Sequence, residues 1–567
     1  MPTRNTTSPM ATTTTLHEKI LIATLGAGLL LGSCTKDFEE INKNPNVPED
    51  YLTYALFNGS NQALMNNTRG YDNMKQMRVW MQYAAQPIYT KESRYLLDPN
   101  GPSSIYYQAY KRAMDYKTII DLNTDPKTKE LVAAYGKNVN QIAAARIMMT
   151  YCFSLLVQSF GDVPYYSALD PDNPKFQALQ TDTYVTPVFA SQKDIYLDIL
   201  KELDQAISEM DTSVSYVFKD GDFIFGTPAK MKKFANSLRL RIANHLKGAN
   251  ATVLGAELKQ KVTNIINHYT TVGTETELLG EGERVGLSFE DNYTYPAPIY
   301  YDYYVGNRVD YLPSSNFVKL LAGNNKKAND RGLNFGSVDP RMEKYFAPKG
   351  MGKWDVYYGY TLDQSNPIDT TSYVGMPYGM QEGATTDQYN GGDRVSLFSK
   401  EILSATATEV LMDYSEVCFI LSELRGWDNA LYRKGVEASL DRWDITGTRK
   451  SNFMAALPAA NEENVLTQKY ISLYMDPDEA WVEYRRTGYP KTLIQVGERV
   501  RGNYPEGNPL VYEFKKEPSA KDVSGIPDRL NYPDTYTGLN LNYIEALKNM
   551  GNPNDARSHK LIFATRQ

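Results

Sequence analysis

The sequence predicts a mainly α-helical protein with long irregular loops, and three observations lead to this prediction. Apolar residues recur at the three- and four-residue spacing of a helix face in many segments after residue 50. Several of these segments begin at a capping residue and end at glycine or proline. The stretches 270–313, 324–400 and 500–538 are rich in Gly, Pro, Asn, Asp and Tyr, and they are far longer than ordinary connections.

Helices in the first half of the chain are marked by apolar stripes with defined ends. Ser191 is a capping residue, and Thr227-Pro228 combines a cap with proline at the first helical position. Gly161-Asp162-Val163-Pro164 is a helix-ending turn, in which Asp162 should accept hydrogen bonds from free backbone N–H groups. The patterns predict helices over 103–122, 139–160 and 192–207, and one from Pro228 that Gly248 closes.

The second half shows the same signals between longer loops. Residues 409–432 and 461–475 are amphipathic. Asp476 is a cap before Pro477 and begins a further helix, on which Trp481, Tyr484 and Arg485 share a face.

The N-terminal segment has the layout of an export signal. Lys19 precedes the apolar run 20–31, which is too short for a bilayer span of roughly 20 residues. Small residues stand directly before Cys34. We expect residues 1–33 to be a lipoprotein signal peptide, Cys34 to be acylated and residues 34–50 to be a polar tether. The alternative is an ordinary secretory signal with an incidental cysteine.

Composition restricts the class of protein. The 567 residues are 42% hydrophobic and 22% charged, with a mean hydropathy of −0.48, which is typical of a globular chain. After Cys34, the sequence has no continuous apolar run of transmembrane length. A net charge of −7 and a pI near 5.5 argue against a nucleic-acid partner. Cys152 and Cys418 form either one disulfide or two buried thiols.

Signals for catalysis and for metal binding are weak. After Cys34 the histidines are His245, His268 and His559, and none has metalloprotease spacing or stands beside a nucleophile motif. We expect no catalytic residues, no metal and no cofactor. Arg239 and Arg241 alternate with apolar residues, so we expect at least one of them to point partly inward and to bond a carboxylate or carbonyl in the core. We expect the same of Arg485 and Arg486.

Several segments resemble a known family of binding proteins. The sequence is similar to the SusD/RagB family of outer-membrane nutrient-binding lipoproteins, and most similar to its starch-binding, outer-membrane-associating subgroup. The resemblance covers nearly all of the chain after Cys34. The segments that carry it are SFGDVPYYSAL (159–169), QKDIYLDILKELDQAI (192–207), MKKFANSLRLRIANHLKG (231–248), DPR (339–341), YVGMPYG (373–379), YSEVCFILSELRGW (414–427) and DEAWVEYRRTGYP (478–490).

The resemblance implies both a fold and a role. Residues 51–567 are expected to form one SusD-like helical ligand-binding body, with four tetratricopeptide-like helix pairs, long loops and a few short strands. The implied role is to bind an oligosaccharide at the cell surface and deliver it to a SusC-like TonB-dependent outer-membrane transporter. Some branches of the family take up peptides instead, and a surface glycoside hydrolase is a third hypothesis.

Aromatic side chains are the candidates for ligand binding, because sugar rings stack on them. The chain has 43 tyrosines but only 5 tryptophans, and tyrosine also suits core edges, so each ring has a core alternative. Family ligand residues lie outside the shared motifs and are not transferred. The first candidates are Trp80, Tyr89, Tyr300, Tyr301, Tyr303, Tyr304, Arg308 and Trp354, with Tyr83, Tyr95, Tyr357, Tyr358 and Tyr360 as further aromatic candidates.

Overall fold

Helices dominate the secondary structure, so the predicted mainly α-helical fold is confirmed. The computed structural model describes residues 52–67, 76–292, 294–323, 337–362, 367–381, 383, 394–503 and 509–566. The predicted signal peptide, the lipidation site Cys34 and the tether lie outside the described residues.

The helices of the first half have the ends that the sequence predicts. The Ser191 hydroxyl accepts from the Asp194 N–H at 3.3 Å, and the Thr227 hydroxyl accepts from the Lys230 N–H at 3.2 Å. In chain order these helices are α1 (Thr53–Leu64), α2 (Met77–Trp80), α3 (Ser103–Thr124), α4 (Lys129–Val132), α5 (Asn138–Phe160), α6 (Gln192–Glu209), α7 (Pro228–Leu246), α8 (Ala251–Leu254) and α9 (Ala256–Thr270).

The long helices of this half pack on one another in sequence order. Helix α1 packs on α3, α3 on α5, α5 on α6, α6 on α7, and α7 on α9. Arrays in which each helix contacts its sequence neighbours are the architecture of helical-repeat proteins. This arrangement agrees with the tetratricopeptide-like pairs that the resemblance implies.

Helix α5 is the most apolar of these helices. Within the described residues, α5 is long and apolar enough to cross a membrane, but 94% of its most apolar window is buried inside the protein. Because α3 and α6 cover it, α5 is the central core helix of this half.

Eleven further helices follow within the described part of the second half. The Asp476 carboxylate accepts from the Glu479 N–H at 3.3 Å, which confirms the predicted cap. These helices are α10 (Pro298–Tyr300), α11 (Ser315–Leu321), α12 (Met342–Tyr345), α13 (Lys353–Tyr358), α14 (Tyr414–Leu424), α15 (Asn429–Arg442), α16 (Gly447–Ala456), α17 (Glu462–Ser472), α18 (Pro477–Thr487), α19 (Asp534–Thr537) and α20 (Asn542–Asn549).

The described residues form three short antiparallel strand pairs, and the first two join segments that are distant in sequence. They are β1 (Ala84–Ala85) with β3 (Leu312–Pro313), β2 (Arg284–Ser288) with β4 (Thr408–Asp413), and β5 (Arg499–Asn503) with β6 (Pro509–Glu513). The amphipathic stretch 409–432 is therefore strand β4, then α14 and the start of α15. A β-carbon on Gly286 would lie 2.4 Å from the Glu409 carbonyl oxygen, so the β2–β4 pairing requires glycine there.

Buried arginines connect helices that are not neighbours in the sequence. Arg241 on α7 donates to Glu416 on α14, with 2.7 Å between Nε and Oε1. Arg486 on α18 donates to both carboxylate oxygens of Glu423, at 2.7 and 2.8 Å. A buried charge needs such a partner, so the prediction for these two arginines is confirmed.

Arg239 and Arg485, the other two arginines expected to bond in the core, use different partners. Arg239 donates to the Asp204 carboxylate at 2.6 Å. Arg485 donates to the backbone carbonyls of Gln158 and Asp528, at 2.6 and 3.0 Å. Through these bonds, Arg485 joins α18 to the end of α5 and to the segment that precedes α19.

Tyrosines supply much of the aromatic core. The rings of Tyr83 and Tyr470 stack with centroids 4.5 Å apart, and those of Tyr345 and Tyr474 lie 4.1 Å apart. Phe317 fills the space between them, 5.1 Å from Tyr474. Part of the tyrosine excess is therefore structural.

Both cysteines in the described part of the chain are buried and free. Cys152 lies on α5 and Cys418 on α14. Burial raises the pKa of Cys418 to about 12, so this thiol stays protonated. Of the two alternatives, the structure shows the buried thiols.

Candidate functional site

The candidate site begins in the tyrosine-rich loop, which folds into a tight turn. Pro298 occupies the first turn of α10, and a π-helical turn, Tyr301–Val305, follows directly. The Gly306 N–H donates to the Tyr301 carbonyl at 2.7 Å and closes this turn. Neighbouring side chains of a helical turn project in different directions, so Tyr301 is exposed whereas Tyr303 is buried.

A second short helix supplies the tryptophan. Helix α13 ends at Gly359, whose φ of 89° favours glycine. Val356 is fully buried, whereas Trp354 is 48% exposed and Tyr358 is 82% exposed. The helix is thus held by one apolar residue and presents aromatic rings to solvent.

The π turn and α13 bring their rings together. Tyr304 lies between the two elements, with its ring centroid 5.6 Å from Trp354, 5.0 Å from Tyr357 and 5.2 Å from Tyr300. Tyr358 extends the group, 5.2 Å from Tyr357. We call these five rings, Tyr300, Tyr304, Trp354, Tyr357 and Tyr358, the aromatic platform.

Lys353, on α13, connects that helix to the π turn. Its ammonium donates to the Tyr303 carbonyl at 3.1 Å and to the Asn307 side-chain oxygen, and it lies 5.2 Å from the centroid of the Trp354 ring. Since one cation bonds both segments, the relative position of the rings is set before any ligand arrives. Sequence reasoning missed Lys353, because a lysine beside a tryptophan carries no distinctive signal.

A charged group accompanies the tyrosine loop. The Arg308 guanidinium lies 5.6 Å from the centroid of the Tyr89 ring, and its Nε donates to Asp310 at 2.9 Å. Tyr89 is 56% exposed. The structure therefore brings Tyr89 and Arg308, both predicted site residues, into contact although they are far apart in sequence. Tyr301 is also exposed at the same loop.

Three of the predicted ligand residues are buried: Tyr304, which is 9% exposed, supports the exposed rings of α13, and the other two lie in the core. Trp80 has no exposed surface; its ring packs 5.5 Å from Trp481, and its Nε1 donates to the Glu92 carbonyl at 3.3 Å. Tyr303 is buried, and its hydroxyl donates to the Tyr311 carbonyl. Both rings are committed to packing, so we remove Trp80 and Tyr303 from the candidate site.

The further candidates divide in the same way. Tyr83 and Tyr95 are fully buried, whereas Tyr357 is 46% exposed and Tyr358 is more so. Burial raises the pKa of Tyr304 and of Tyr300, so both hydroxyls stay protonated at neutral pH. The Tyr304 hydroxyl is buried, so the platform presents to a ligand mainly the exposed rings of Trp354, Tyr357 and Tyr358.

One buried cluster has metal-ligand residue types. His245, Glu479 and Glu483 bring three potential ligand atoms within 4.8 Å of one another. However, Glu483 already contacts Lys469 at 3.3 Å and Arg486 at 2.7 Å. These cations neutralise the carboxylate, which is the arrangement of a buried ion-pair network rather than of a metal centre.

Comparison with known proteins agrees with the fold. A SusD homologue from Parabacteroides distasonis is 19% identical, with a TM-score of 0.67 over 91% of this chain and 98% of that chain. A chitin-binding protein is 20% identical, with a TM-score of 0.66 over 90% of this chain and 100% of that chain. A chitin-binding SusD homologue from Flavobacterium johnsoniae is 18% identical, with a TM-score of 0.61 over 90% of this chain and 98% of that chain. These likenesses show the fold alone.

No curated protein matches the chain by sequence. Residues 45–506, in contrast, match the SusD-like family described as starch-binding and associating with the outer membrane. This match spans most of the chain and includes the π turn, α13 and every helix from α1 to α18. The chain therefore belongs to the SusD-like family.

Proposed function

We propose that this protein binds an oligosaccharide on the aromatic platform at the cell surface and delivers it to a SusC-like TonB-dependent transporter. The observation that carries the proposal is the group of exposed rings on α13, Trp354, Tyr357 and Tyr358, supported by the buried ring of Tyr304 from the π turn. Chitin binding by two proteins of the same fold supports a glycan ligand.

The chemistry of the platform suits a sugar. The C–H face of a pyranose ring is apolar and stacks on tyrosine and tryptophan, while its hydroxyls need polar partners at the edges. Trp354 and Tyr358 offer exposed ring faces. Asn307, Arg308 and Asp310 supply an amide and two charged groups on the adjoining loop. Together they meet both requirements of a saccharide.

The cellular part of the proposal depends on the N-terminal segment and on the family. Acylation of Cys34 would hold the protein at the outer membrane, and the polar residues 34–50 would give the body room to reach a transporter. Family membership supports the outer-membrane location.

A binding screen with the purified protein tests the proposal. Isothermal titration against starch, chitin oligosaccharides, other polysaccharides and a peptide digest should show saturable binding to a glycan, with no new reducing ends after long incubation. Binding to peptides alone would replace the ligand class with that of the peptide-uptake branch. New reducing ends would instead indicate a glycoside hydrolase.

A further inference from the structure

A second concave surface lies between α3, the loop 178–189 and the C-terminal segment 532–543. It encloses about 580 Å³, within the range of roughly 300–1,000 Å³ that is usual for small-ligand pockets. Among the described residues, it shares none with the aromatic platform. We call it the tyrosine groove after its rings, Tyr106, Tyr107, Tyr110, Tyr532, Tyr536 and Tyr543.

Two of the six groove tyrosines, Tyr110 and Tyr532, use their hydroxyls to bond the protein backbone. Tyr110 donates to the Pro164 carbonyl at 2.6 Å, and Tyr532 donates to the Asp162 carbonyl. A hydroxyl that is already bonded to the backbone does not need a ligand as its partner. These tyrosines therefore present mainly the apolar part of their rings to the cavity.

The groove is held open by side-chain amides. Asn540 donates to the Pro187 carbonyl at 2.7 Å, and Asn542 donates to the Thr186 carbonyl at 2.9 Å. These bonds fix the C-terminal wall against the loop wall. A preformed cavity binds its ligand without first ordering its walls.

The rim is apolar and the lining carries no net charge. Val185 is 89% exposed and Leu539 is 71% exposed, although such residues are normally buried. Among the described lining residues, the charged ones are Lys111 and Asp115, which have opposite signs. Asp115 also accepts from the Ser60 hydroxyl at 2.8 Å.

We propose that the tyrosine groove is a second binding site, for an uncharged small molecule that carries an apolar ring. Ring faces from α3 and the C-terminal segment would stack on such a ligand, and the exposed rim would be covered. An ionised ligand would lose hydration, and the one cation that it could reach among the described lining residues, the exposed ammonium of Lys111, would return little of that cost, so neutrality is part of the proposal. This site is independent of glycan binding at the platform.

The test compares two ligands with the same ring. 1-Naphthalenemethanol is neutral and 1-naphthoate is an anion, and both are titrated against the full-length protein by ligand-observed NMR. The alcohol should bind saturably and roughly tenfold more tightly than the acid. Leu539→Asp, which places a charge at the rim, should weaken binding of the alcohol at least tenfold.

Matched variants locate the binding. Val272→Asp changes a residue that is 80% exposed elsewhere on the surface, and it should bind the alcohol like the parent. Tyr107→Ala removes a half-exposed groove ring and should also weaken binding, whereas Trp354→Ala should not. The proposal is overturned if neither ligand saturates, if the acid binds as well as the alcohol, or if Leu539→Asp and Tyr107→Ala bind like the parent.

Discussion

Core tyrosines are held by hydrogen bonds to the backbone, whereas the outer platform tyrosines expose their rings. The hydroxyl of Tyr303 donates to the Tyr311 carbonyl, and that of Tyr470 donates to the Met81 carbonyl, so both rings are fixed inside the protein. Tyr357 and Tyr358, in contrast, expose their rings beside Trp354. The sequence alone does not distinguish buried tyrosines from exposed ones, because both kinds stand in similar sequence surroundings.

Single carboxyl groups in the core should make stability depend on pH. Burial raises the pKa of Asp198 to about 6 from an ordinary 3.8, with Glu202 adding to the shift. The folded state therefore binds the proton more tightly than the unfolded state. Protonated Asp198 therefore contributes fully to the stability of the folded state below about pH 4, and this contribution is lost as the pH rises through 6.

Asp198→Asn tests this dependence. The variant should lose less stability than the parent between pH 4 and pH 7, by on the order of 2 kcal/mol. Urea unfolding at both pH values measures the difference. The free energy of unfolding of the variant should still depend on pH, because burial also raises the pKa of Asp162 to about 6. Equal pH dependence in parent and variant would show that Asp198 is not shifted.

Among the elements, the helices are far easier to predict from sequence than the contacts between distant segments. Caps such as Ser191 and Thr227 and the stripes of α3, α5 and α6 are local patterns, and the structure reproduces them within a few residues. Strand β4 was included in an amphipathic stretch, because its pairing with β2 joins residues more than a hundred positions apart. The platform depends on such a distant meeting, between the π turn and α13.

The ion pairs between helices should be essential to the fold. Burial alone would raise the pKa of Glu423, but Arg486 and Lys247 outweigh it and lower the pKa to about 2. Arg486→Met would leave Glu423 buried with one partner fewer, and the free energy of unfolding should fall by about 3–5 kcal/mol.

An exposed pair provides the matched control for Arg486→Met. Lys201 on α6 contacts Glu257 on α9 at 2.8 Å, but both side chains are largely exposed. Lys201→Met should therefore change stability by less than about 1 kcal/mol. Similar losses in both variants, measured by urea unfolding at pH 7, would contradict the role given to the buried network.

Lys353 offers a test of how the platform is assembled. Lys353→Met removes the bonds to the π turn but keeps much of the side chain volume. The melting temperature should change little, because Lys353 lies near the surface, while glycan affinity should fall several-fold as the rings lose their fixed arrangement. An unchanged affinity would show that Lys353 does not position the rings.

For the whole molecule, the sequence resemblance predicted the family and the architecture, while the ligand surface needed the structure. Attachment to the membrane is the remaining prediction at this scale. Cys34→Ala should leave the fold intact but release the protein from the membrane fraction, because the acyl chains provide the anchor. Fractionation in cells that lack the transporter checks this, and a variant that still sediments with outer membranes would contradict it.

The central claim is that the aromatic platform binds the glycan, and isothermal titration of its variants tests this most directly. Trp354→Ala and Tyr357→Ala should each weaken binding of the best glycan from the screen roughly fivefold to tenfold, since a stacking ring contributes about 1–1.4 kcal/mol. Phe223→Ala, a change at a ring that is 63% exposed on another loop, should bind like the parent. Melting temperatures should match in all four proteins. Parental affinity in both platform variants would contradict the account.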